Sequence, residues 1–443
     1  MNKKKKFYIK TWGCQMNDYD SLTIANILKK NKIYTDTNNY YEADILILNT
    51  CSIREKAQEK LFHQLGRWKQ LKNQNPNIII AVGGCVANQE GKKIIKRSNF
   101  VDIIFGTQTL HRLPKMIEKH NKTKKISIDI SFPKMEKFKN IIQPKYPNFS
   151  ASISIMEGCN NYCSFCIVPY TRGKESYRPI KDIIKEVSKL SEQGIKEIQL
   201  LGQNVNSYYH IGTSGKKYTF SKLLKKISMI SKIKRIRFIT SNPMDFTDDI
   251  INSYYEIPKI VSFLHLPIQS GSNRILKLMK RPYSVEKYQD IVYKLKKARP
   301  QIQISSDFIV GFPGETQEDF EDTINIIKKI NFDMSFSFIY SVRPGTPASK
   351  LKDNVTLIEK KNRLKILQKQ IKKQALNWSN KMINSIQKIL VEKIHNINEN
   401  EFIGKTENYR TVIVKSKKNL LGKIIKVNIT KKNKNILHGK HIQ

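Results

Sequence analysis

The sequence predicts an α/β fold made of an N-terminal parallel α/β domain, a central incomplete barrel of six βα units and a small C-terminal β-barrel. Apolar runs typical of strands alternate with helical patterns through the first two thirds of the chain, and short strands replace the helices near its end. The length of 443 residues suits two to four domains. The expected parts cover residues 1–120, 145–376 and 379–443.

Four apolar runs predict the strands of the first part. They are Phe7–Lys10, Asp44–Leu48, Ile78–Val82 and Val101–Phe105. A helix that packs on this sheet is predicted by apolar residues three or four positions apart, namely Ala57, Leu61, Leu65 and Trp68. The stretch from 121 to 149 has a weak pattern, is interrupted by Pro133, Pro144 and Pro147, and is expected to be a linker.

One cysteine follows each of the first three strands, at Cys14, Cys51 and Cys85. The carboxyl ends of parallel strands meet at one edge of a sheet, so these thiols are expected to converge on a ligand site. The alternative is that each is a small buried apolar residue, which is common for free cysteines. Glycine-rich turns before Cys14 and Cys85 favour the ligand site.

Six strand-like runs alternate with helices in the second part, which predicts an incomplete version of the eight-unit barrel. The runs are Ser152–Met156, Glu197–Leu201, Ile236–Thr240, Val261–Leu266, Ile302–Val310 and Met334–Tyr340. A polar turn, mostly rich in glycine, follows each run, as expected of an active-site rim.

The last part is predicted to be a small basic β-barrel, with strands at Lys388–Glu392, Thr411–Val414 and Lys423–Ile429. From residue 380 it holds 14 Lys and Arg against 4 Asp and Glu. Such barrels commonly bind single-stranded or looped nucleic acid. A purely structural barrel with the lysine excess of the whole chain is the alternative.

The whole chain has a net charge of +43, which attracts polyanions such as nucleic acid. A nucleotide-biased genome would also produce this excess of Lys, Ile and Asn. No apolar run reaches the length of a membrane span, so we expect a cytoplasmic protein that does not enter a membrane. Six cysteines are too few for a disulfide scaffold.

The compact motif Cys159-Asn-Asn-Tyr-Cys163-Ser-Phe-Cys166 follows the first barrel strand. Three thiols in so short a loop can hold three corners of a four-iron cluster and leave one iron open to a substrate. Zinc is the structural alternative, but a closed zinc site needs a fourth ligand and no histidine stands near this loop.

This spacing, with an aromatic residue before its last cysteine, resembles the radical S-adenosylmethionine enzymes. Five further motifs along the chain resemble those of the methylthiotransferase family. Within this family, the members that modify dimethylallyl-adenosine in tRNA are most similar to the chain. The motifs are Thr11–Asn17, Asn49–Arg54, Gly83–Cys85, Cys166–Gly173 and Gly404–Asn408.

The resemblance implies that Cys159, Cys163 and Cys166 hold a [4Fe-4S] cluster whose open iron binds S-adenosylmethionine. The central domain would then be a radical S-adenosylmethionine barrel, and the cofactor would supply a deoxyadenosyl radical. Residues expected to line the cofactor site are Phe165, Gln203, Asn204, Ser241, Asn242 and Gln269. An ordinary turn role is the alternative for each of them.

By the same resemblance, Cys14, Cys51 and Cys85 hold a second [4Fe-4S] cluster, which would carry the sulfur. The implied reaction is methylthiolation at carbon 2 of the modified adenosine, with a TRAM-like C-terminal barrel binding the tRNA anticodon stem-loop. A separate electron donor is implied, and no dimer seam is visible, so a monomer is expected.

Two alternatives remain open at this point. The same chemistry could act on threonylcarbamoyl-adenosine in tRNA or on an aspartate of a ribosomal protein. The chain could also be a non-catalytic iron–sulfur protein that binds RNA. Among lesser candidates, His265 is expected to be a hydrogen-bonded core residue, and Arg172 and Arg343 to form surface ion pairs or to contact phosphate or carboxylate.

Overall fold

The computed structural model describes residues 4–52, 55–133, 136–139, 146, 148–397 and 400–442. Motif residues Ile53 and Arg54, and Pro144 and Pro147 of the expected linker, lie outside these residues. The described helices include none that is both long and apolar enough to cross a membrane. The chain divides into two compact units. The first comprises Met1–Lys145, Met156–Tyr162 and Cys166–Arg178, and the second Tyr146–Ile155, Cys163–Phe165 and Pro179–Gln443.

The first unit is built on a six-stranded parallel sheet in the order β2-β1-β3-β4-β5-β6. Its strands are β1 (Lys5–Trp12), β2 (Tyr34–Asp36), β3 (Ile45–Thr50), β4 (Ile79–Gly83), β5 (Ile103–Phe105) and β6 (Ser127–Asp129). The helices are α1 (Gln15–Lys30), α2 (Glu55–Gln74), α3 (Cys85–Glu90), α4 (Lys93–Arg97), α5 (Leu113–Thr123) and α6 (Glu136–Lys139).

The central strands of this sheet are buried on both faces because helices cover each side. On β3, Ile45 and Ile47 enter one apolar cluster, and Leu46 and Leu48 enter the other. The second cluster also receives the predicted helix face, through Leu61, Leu65 and Trp68 of α2. Only the backbone of Ala57 is described.

The four predicted strands of this sheet are confirmed, but two short edge strands were not predicted. β2 and β6 have three residues each and carry polar side chains, so they show no apolar run. β6 lies beyond residue 120, within the stretch that was expected to be a linker. The sheet therefore continues past the predicted end of the first part.

The middle of the chain contains eleven strands and eight α-helices among its described residues. The strands are β7 (Ser150–Ser154), β8 (Met156–Glu157), β9 (Ser176–Tyr177), β10 (Glu197–Leu201), β11 (Tyr209–Ile211), β12 (Lys217–Thr219), β13 (Arg235–Phe238), β14 (Phe263–His265), β15 (Gln303–Ser305), β16 (Asp307–Val310) and β17 (Phe336–Ile339). The helices are α7 (Val168–Arg172), α8 (Ile180–Glu192), α9 (Phe220–Ser228), α10 (Asp248–Glu256), α11 (Asn273–Leu278), α12 (Val285–Ala298), α13 (Gln317–Ile330) and α14 (Leu357–Lys381).

The second unit contains the predicted incomplete barrel. β7, β10 and β13 pair in parallel, and a parallel bridge between Ile236 and Ile260 leads to β14. β14 pairs with β15, and β16 with β17, again in parallel. All six predicted strand positions are confirmed, the fifth being divided into β15 and β16. Among the described strands only β16 pairs with β17, so the barrel stays open there.

The chain ends in a closed five-stranded barrel in the order β18-β19-β20-β22-β21. Its strands are β18 (Ile386–Asn396), β19 (Glu401–Thr406), β20 (Thr411–Lys415), β21 (Ile424–Asn433) and β22 (Ile436–Ile442). Three of the five were predicted. β19 and β22 each carry a glycine in the strand, Gly404 and Gly439, which weakens the apolar pattern on which the prediction relied.

The C-terminal barrel docks on the open barrel within the second unit. Arg235 donates hydrogen bonds to the carbonyl oxygens of Lys388 (2.7 Å) and Lys405 (3.0 Å). Arg237 donates to the carbonyl oxygen of Glu407 at 2.6 Å. Both arginines are buried and also pair with Glu197. β13 of the open barrel therefore also fixes the position of the C-terminal barrel.

Candidate functional site

The structure brings Cys14, Cys51 and Cys85 together at the carboxyl edge of the sheet in the first unit. Cys14 is the N-cap of α1, and Cys85 is the first residue of α3. The Cys51 thiol lies between them and is hydrogen-bonded to both of the other thiols. Cys51 and Cys85 are buried, whereas Cys14 is exposed. The convergence expected from the strand ends is therefore present.

Two glycines allow the three turns to approach this closely. At Gly84, with φ +90°, a Cβ atom would lie 2.4 Å from Oδ1 of Asn49 and 2.5 Å from the carbonyl oxygen of Thr50. At Gly13, a Cβ atom would lie 2.4 Å from Oδ1 of Asn17 and 2.9 Å from Cβ of Cys51. Any side chain at either position would push the cysteine-bearing turns apart.

A pair of buried amides also ties the first turn to the end of β3. Oδ1 of Asn17 accepts a hydrogen bond from the Cys14 backbone N–H at 3.4 Å. Nδ2 of Asn49 donates to the carbonyl oxygen of Asn17 (2.9 Å) and to Oγ of Ser21 (2.8 Å). Both asparagines are buried, so these bonds hold the turns in place without competition from water.

The thiols differ in acidity because they share hydrogen bonds. The hydrogen bond with Cys51, helped by the positive charge of Arg172, lowers the pKa of Cys14 to about 6. The same influences lower the pKa of Cys85 to about 7. Cys51 is the common donor, and its pKa is raised by the bonds to Cys14 and Cys85. Two of the three sulfurs therefore favour the thiolate form that binds metals.

The surroundings of the thiols fit an iron–sulfur cluster. Three buried donors there have no hydrogen-bond partner among the described residues: Thr50 Oγ1, Ser52 Oγ and Arg172 Nη1. Such donors suit the sulfur atoms of a cluster. The described residues hold no three His, Cys, Asp or Glu side chains arranged for one metal ion. Cys14, Cys51 and Cys85 are the residues that could hold such a cluster.

A buried network of four charged side chains lies in the same unit. Lys137 Nζ contacts Oδ1 of Asp20 at 2.7 Å and also Oε1 of Glu157. Arg172 Nη2 donates to Oδ2 of Asp20 at 2.8 Å, and its Nη1 lies 3.5 Å from Oε1 of Glu157. Nε2 of Gln108 donates to Glu157 as well. The expectation of a surface ion pair for Arg172 is therefore wrong, because its side chain is only 3% exposed.

Two cysteines of the compact motif belong to the first unit. The backbone N–H of Cys159 donates to the carbonyl oxygen of Gly173 at 3.2 Å. The preceding Gly158 has φ +81°, and a Cβ atom there would lie 2.1 Å from the carbonyl oxygen of Lys174. Cys159 and Cys166 are both partly exposed. The short pairing of β8 with β9, together with Gly158, therefore sets the backbone path at the start of the cysteine loop.

The third cysteine of the motif, Cys163, belongs to the second unit and has a cationic partner. Nη1 of Arg281 donates to Sγ of Cys163 at 3.6 Å. Arg281 is buried, and its Nη2 donates to the carbonyl oxygen of Pro267 at 2.9 Å. Its guanidinium also lies 5.0 Å from the ring centre of Tyr283. Sequence reasoning missed Arg281, because Lys280-Arg281-Pro282 has the composition of an ordinary turn.

Two of the predicted cofactor-site residues have unused polar atoms. Asn204 is buried and donates through Nδ2 to Oδ2 of Asp245 at 2.6 Å. Its Oδ1, like Oγ of the buried Ser241, has no hydrogen-bond partner among the described residues. Both follow strands of the barrel, β10 and β13. These atoms are free to bind a polar ligand at the rim.

The other four predicted cofactor-site residues also lie in the second unit. Phe165 packs against an apolar cluster that includes Met279, Phe312 and Tyr340. Asn242 serves its own turn, because its Oδ1 accepts from the N–H of Met244 at 3.2 Å. The last two predicted residues are half-buried and follow strands. Gln203 comes after β10, and Gln269, with φ +77°, comes after β14.

His265 is half-buried on β14 and hydrogen-bonded as expected. Its Nδ1 lies 2.6 Å from Oγ of Ser305, and its Nε2 lies 3.4 Å from Oδ2 of Asp307. Arg343 is half-buried in the turn after β17.

Three family models match the chain, in the order expected for its three parts. Residues 6–106 match "Uncharacterized protein family UPF0004", residues 153–327 match the "Radical SAM superfamily", and residues 380–442 match the "TRAM domain". The second model corresponds to the open barrel, and the third to the closed one.

Curated relatives match over nearly the whole chain. A protein of Buchnera aphidicola subsp. Acyrthosiphon pisum is 61% identical over 98% of this chain and 99% of its own length. One of Sodalis glossinidius is 55% identical over 98% of this chain and 92% of its own length. Both are named tRNA-2-methylthio-N(6)-dimethylallyladenosine synthase.

Solved structures share the fold at low sequence identity. The radical S-adenosylmethionine methyltransferase TsrM from Kitasatospora setae aligns with a TM-score of 0.57 and 14% identity, over 78% of this chain and 75% of its own. The cobalamin-dependent radical enzyme OxsB aligns with a TM-score of 0.53 and 13% identity, over 84% and 56% of the two chains. These similarities establish the architecture alone.

Proposed function

Since the chain belongs to the methylthiotransferase family of radical S-adenosylmethionine enzymes, we propose that it methylthiolates carbon 2 of N6-dimethylallyladenosine in tRNA. The observation that carries this proposal is the convergence of Cys14, Cys51 and Cys85 in a chain that also holds the compact three-cysteine motif. A radical enzyme with one cluster does not need the second set of thiols.

Six cysteines provide the ligands of two [4Fe-4S] clusters in this proposal. Cys159, Cys163 and Cys166 bind the cluster that works with S-adenosylmethionine, and Cys14, Cys51 and Cys85 bind the second. When bound, S-adenosylmethionine and the first cluster would supply a deoxyadenosyl radical, and the second site would carry the sulfur atom that is inserted. The proposed electron source is a separate donor protein, and the proposed active form is a monomer.

Two arginines of the chain act on the two sets of thiols. Arg281 donates an N–H to the sulfur of Cys163 at 3.6 Å, a contact from a cation that suits a cluster ligand. Arg172 favours thiolate at Cys14 and Cys85. At the rim, Asn204 and Ser241 offer unpaired polar atoms to S-adenosylmethionine. The other proposed cofactor contacts are Phe165, Gln203, Asn242 and Gln269.

The C-terminal barrel supplies a basic surface for the RNA. A groove on it is lined by Lys415, Lys417, Lys418, Lys431 and Lys440. Lysine side chains on such a groove neutralise backbone phosphates without reading the sequence. We propose that this surface binds the anticodon stem-loop, because bases in a single-stranded loop can leave the stack and enter an active site.

Two alternatives are less well supported. Threonylcarbamoyl-adenosine or a ribosomal aspartate would require different substrate contacts, and the full-length relatives carry the name of the dimethylallyladenosine enzyme. A non-catalytic iron–sulfur RNA-binding protein would leave the barrel rim and its unpaired polar atoms without a use. Release of deoxyadenosine after reduction in the presence of S-adenosylmethionine separates the enzyme from a binding protein.

The direct test is nucleoside analysis of tRNA. A bacterial strain that lacks its own methylthiotransferase but retains dimethylallyladenosine would receive this chain or its Cys159→Ala/Cys163→Ala/Cys166→Ala variant. We expect the 2-methylthio nucleoside with the unaltered chain and only the precursor with the variant. Precursor alone with a stable, iron-loaded unaltered chain would overturn the substrate assignment.

A further inference from the structure

Two exposed tyrosines lie together on the first unit, beside the compact cysteine motif. Tyr162 stands between Cys159 and Cys163 in the sequence, and Tyr170 follows Cys166 by four residues. Their ring centres are 6.4 Å apart, and the ring planes are nearly perpendicular, at 84°. The two residues are 41% and 43% exposed, so their rings form an open aromatic notch in the surface.

The fold keeps the Tyr162 ring at the surface against the preference of its backbone. Its φ of +45° lies in the left-handed region, which large side chains rarely adopt. The loop is braced by Asn160, whose backbone N–H donates to Oε1 of Glu175 at 3.3 Å. The N–H of Glu175 donates back to Oδ1 of Asn160 at 3.1 Å. Strained backbone of this kind is concentrated at functional sites, which makes Tyr162 a candidate for a binding role.

The second ring is carried by α7, which is anchored to the rest of the first unit. Oγ1 of Thr107 donates to the carbonyl oxygen of Thr171 at 3.1 Å. Nε2 of Gln108 donates to the carbonyl oxygen of Arg172 at 3.3 Å. Thr171 and Arg172 are buried, whereas Tyr170 is the one exposed residue of this helix. The anchored helix therefore fixes the position of the Tyr170 ring.

A perpendicular pair of exposed rings suits the base of a nucleotide. Single exposed aromatic residues are common on protein surfaces and need no ligand. A pair differs, because a planar ring can stack on one tyrosine while its edge meets the face of the other. Unpaired RNA bases are bound in this way, by stacking on aromatic side chains. The notch therefore has the shape and the chemistry of a base-binding site.

We infer that Tyr162 and Tyr170 stack on an unpaired base that flanks the target adenosine in the tRNA loop. The inference rests on the proposed function, in which Cys159 and Cys166 belong to the site that acts on an extruded adenosine. Extrusion costs the stacking between that adenosine and its neighbours. The tyrosine rings beside these cysteines restore stacking to a neighbouring base. Both tyrosines then bind the RNA and take no part in the chemistry.

The test is a binding measurement on the iron-loaded full chain, made anaerobically and without S-adenosylmethionine so that no turnover occurs. The probe is a fluorescently labelled anticodon stem-loop RNA that contains dimethylallyladenosine. Two further RNAs lack the base immediately 5′ or immediately 3′ of this nucleoside. Circular dichroism and iron content are measured for every protein sample to confirm equal folding and loading.

Three variants are compared with the unaltered chain. Tyr162→Leu/Tyr170→Leu removes both aromatic rings, whereas Tyr162→Phe/Tyr170→Phe keeps the rings and removes only the hydroxyl groups. Tyr293→Leu is the matched control, because Tyr293 is 70% exposed on α12, away from the cysteine motif in sequence.

With the intact RNA, we expect the leucine double variant to bind roughly tenfold more weakly or worse, the loss typical of one base–aromatic stack. The phenylalanine double variant and Tyr293→Leu should bind like the unaltered chain. With one of the two RNAs that lack a flanking base, the difference between the leucine double variant and the unaltered chain should disappear.

Equal binding of the intact RNA by the leucine double variant and the unaltered chain would overturn the inference. An equal loss in the phenylalanine double variant would also overturn it, and so would a loss that persists with both RNAs that lack a base. If the leucine double variant does not fold or hold iron, Tyr170→Leu alone is judged by the same criteria. The proposed function fails separately, if the unaltered chain makes no 2-methylthio nucleoside in tRNA.

Discussion

Arg410 and Asp333 form a two-pronged ion pair inside the second unit, with Nη1 and Nη2 of the arginine 2.7 and 2.6 Å from the two carboxylate oxygens. The side chains are 4% and 0% exposed. Arg410 lies in the turn between β19 and β20 of the C-terminal barrel, whereas Asp333 precedes β17 of the open barrel. The pair therefore fixes one barrel to the other, so the proposed RNA-binding groove has a defined position relative to the open barrel.

Replacing Arg410 with alanine should destabilise the second unit strongly. The change leaves the Asp333 carboxylate buried without its partner, which costs about 3–5 kcal/mol. Urea unfolding of the full chain measures this loss. Lys294→Ala is the matched control, because its pairs with Asp248 and Asp290 are exposed and its effect should stay within about 1 kcal/mol. Similar losses in both variants would show that Arg410 does not fix the barrel.

Gly84→Ala should disrupt the thiol site. The added methyl group would meet Oδ1 of Asn49 and the carbonyl oxygen of Thr50 at about 2.5 Å or less, and φ +90° disfavours alanine. We expect lower stability and weaker retention of iron by Cys14, Cys51 and Cys85. Gly66→Ala is the control, because Gly66 is exposed in α2 with open space around its Cα. That change should stabilise the chain by about 0.5–1 kcal/mol, and an equal loss of iron in both would contradict the role of Gly84.

Local patterns were sufficient to predict the main strands and the convergence of the thiols. Buried parallel strands such as β3 appear as continuous apolar runs, and the carboxyl ends of parallel strands meet at one edge. The edge strands β2 and β6 were missed because three residues with polar side chains carry no such run. The order of the six barrel strands followed from the repeated βα pattern.

The charged partners of the site could not be predicted from the sequence. Asp20 and Lys137 are 117 positions apart, and Lys137 lies in a stretch that was expected to be a linker. Charged residues are usually exposed, so nothing in their spacing indicated a buried network. Likewise, Arg281 is 118 positions from Cys163, and only the folded second unit brings them into contact.

The reactivity of Cys14 should extend to unusually low pH in the metal-free chain. Its pKa of about 6 means that the thiolate predominates at pH 7 and is lost as pH falls through 6. Arg172→Gln removes a charge that lowers this pKa, so the midpoint should move upward. Iodoacetamide labelling followed by peptide mass spectrometry measures both profiles. Cys51 is the internal control, because it is buried and its pKa is raised; an ordinary thiol profile at Cys14 would contradict the assignment.

Arg281 should help Cys163 to retain the proposed iron–sulfur cluster of the compact motif. Arg281→Met removes the cation that donates to Sγ of Cys163, whereas Arg281→Lys keeps a positive charge. In a Cys14→Ala/Cys51→Ala/Cys85→Ala background, we expect iron to be lost to a chelator several-fold faster from the methionine variant than from the lysine variant. Equal rates in the two variants and the parent would mean that the contact is only structural.

Anaerobic iron and sulfide quantitation on three forms of the chain tests the two-cluster assignment most directly. The unaltered chain should hold about eight irons, and each triple variant, Cys14→Ala/Cys51→Ala/Cys85→Ala or Cys159→Ala/Cys163→Ala/Cys166→Ala, about four. Near-complete loss of iron in one triple variant with full retention in the other would contradict two independent three-thiol sites.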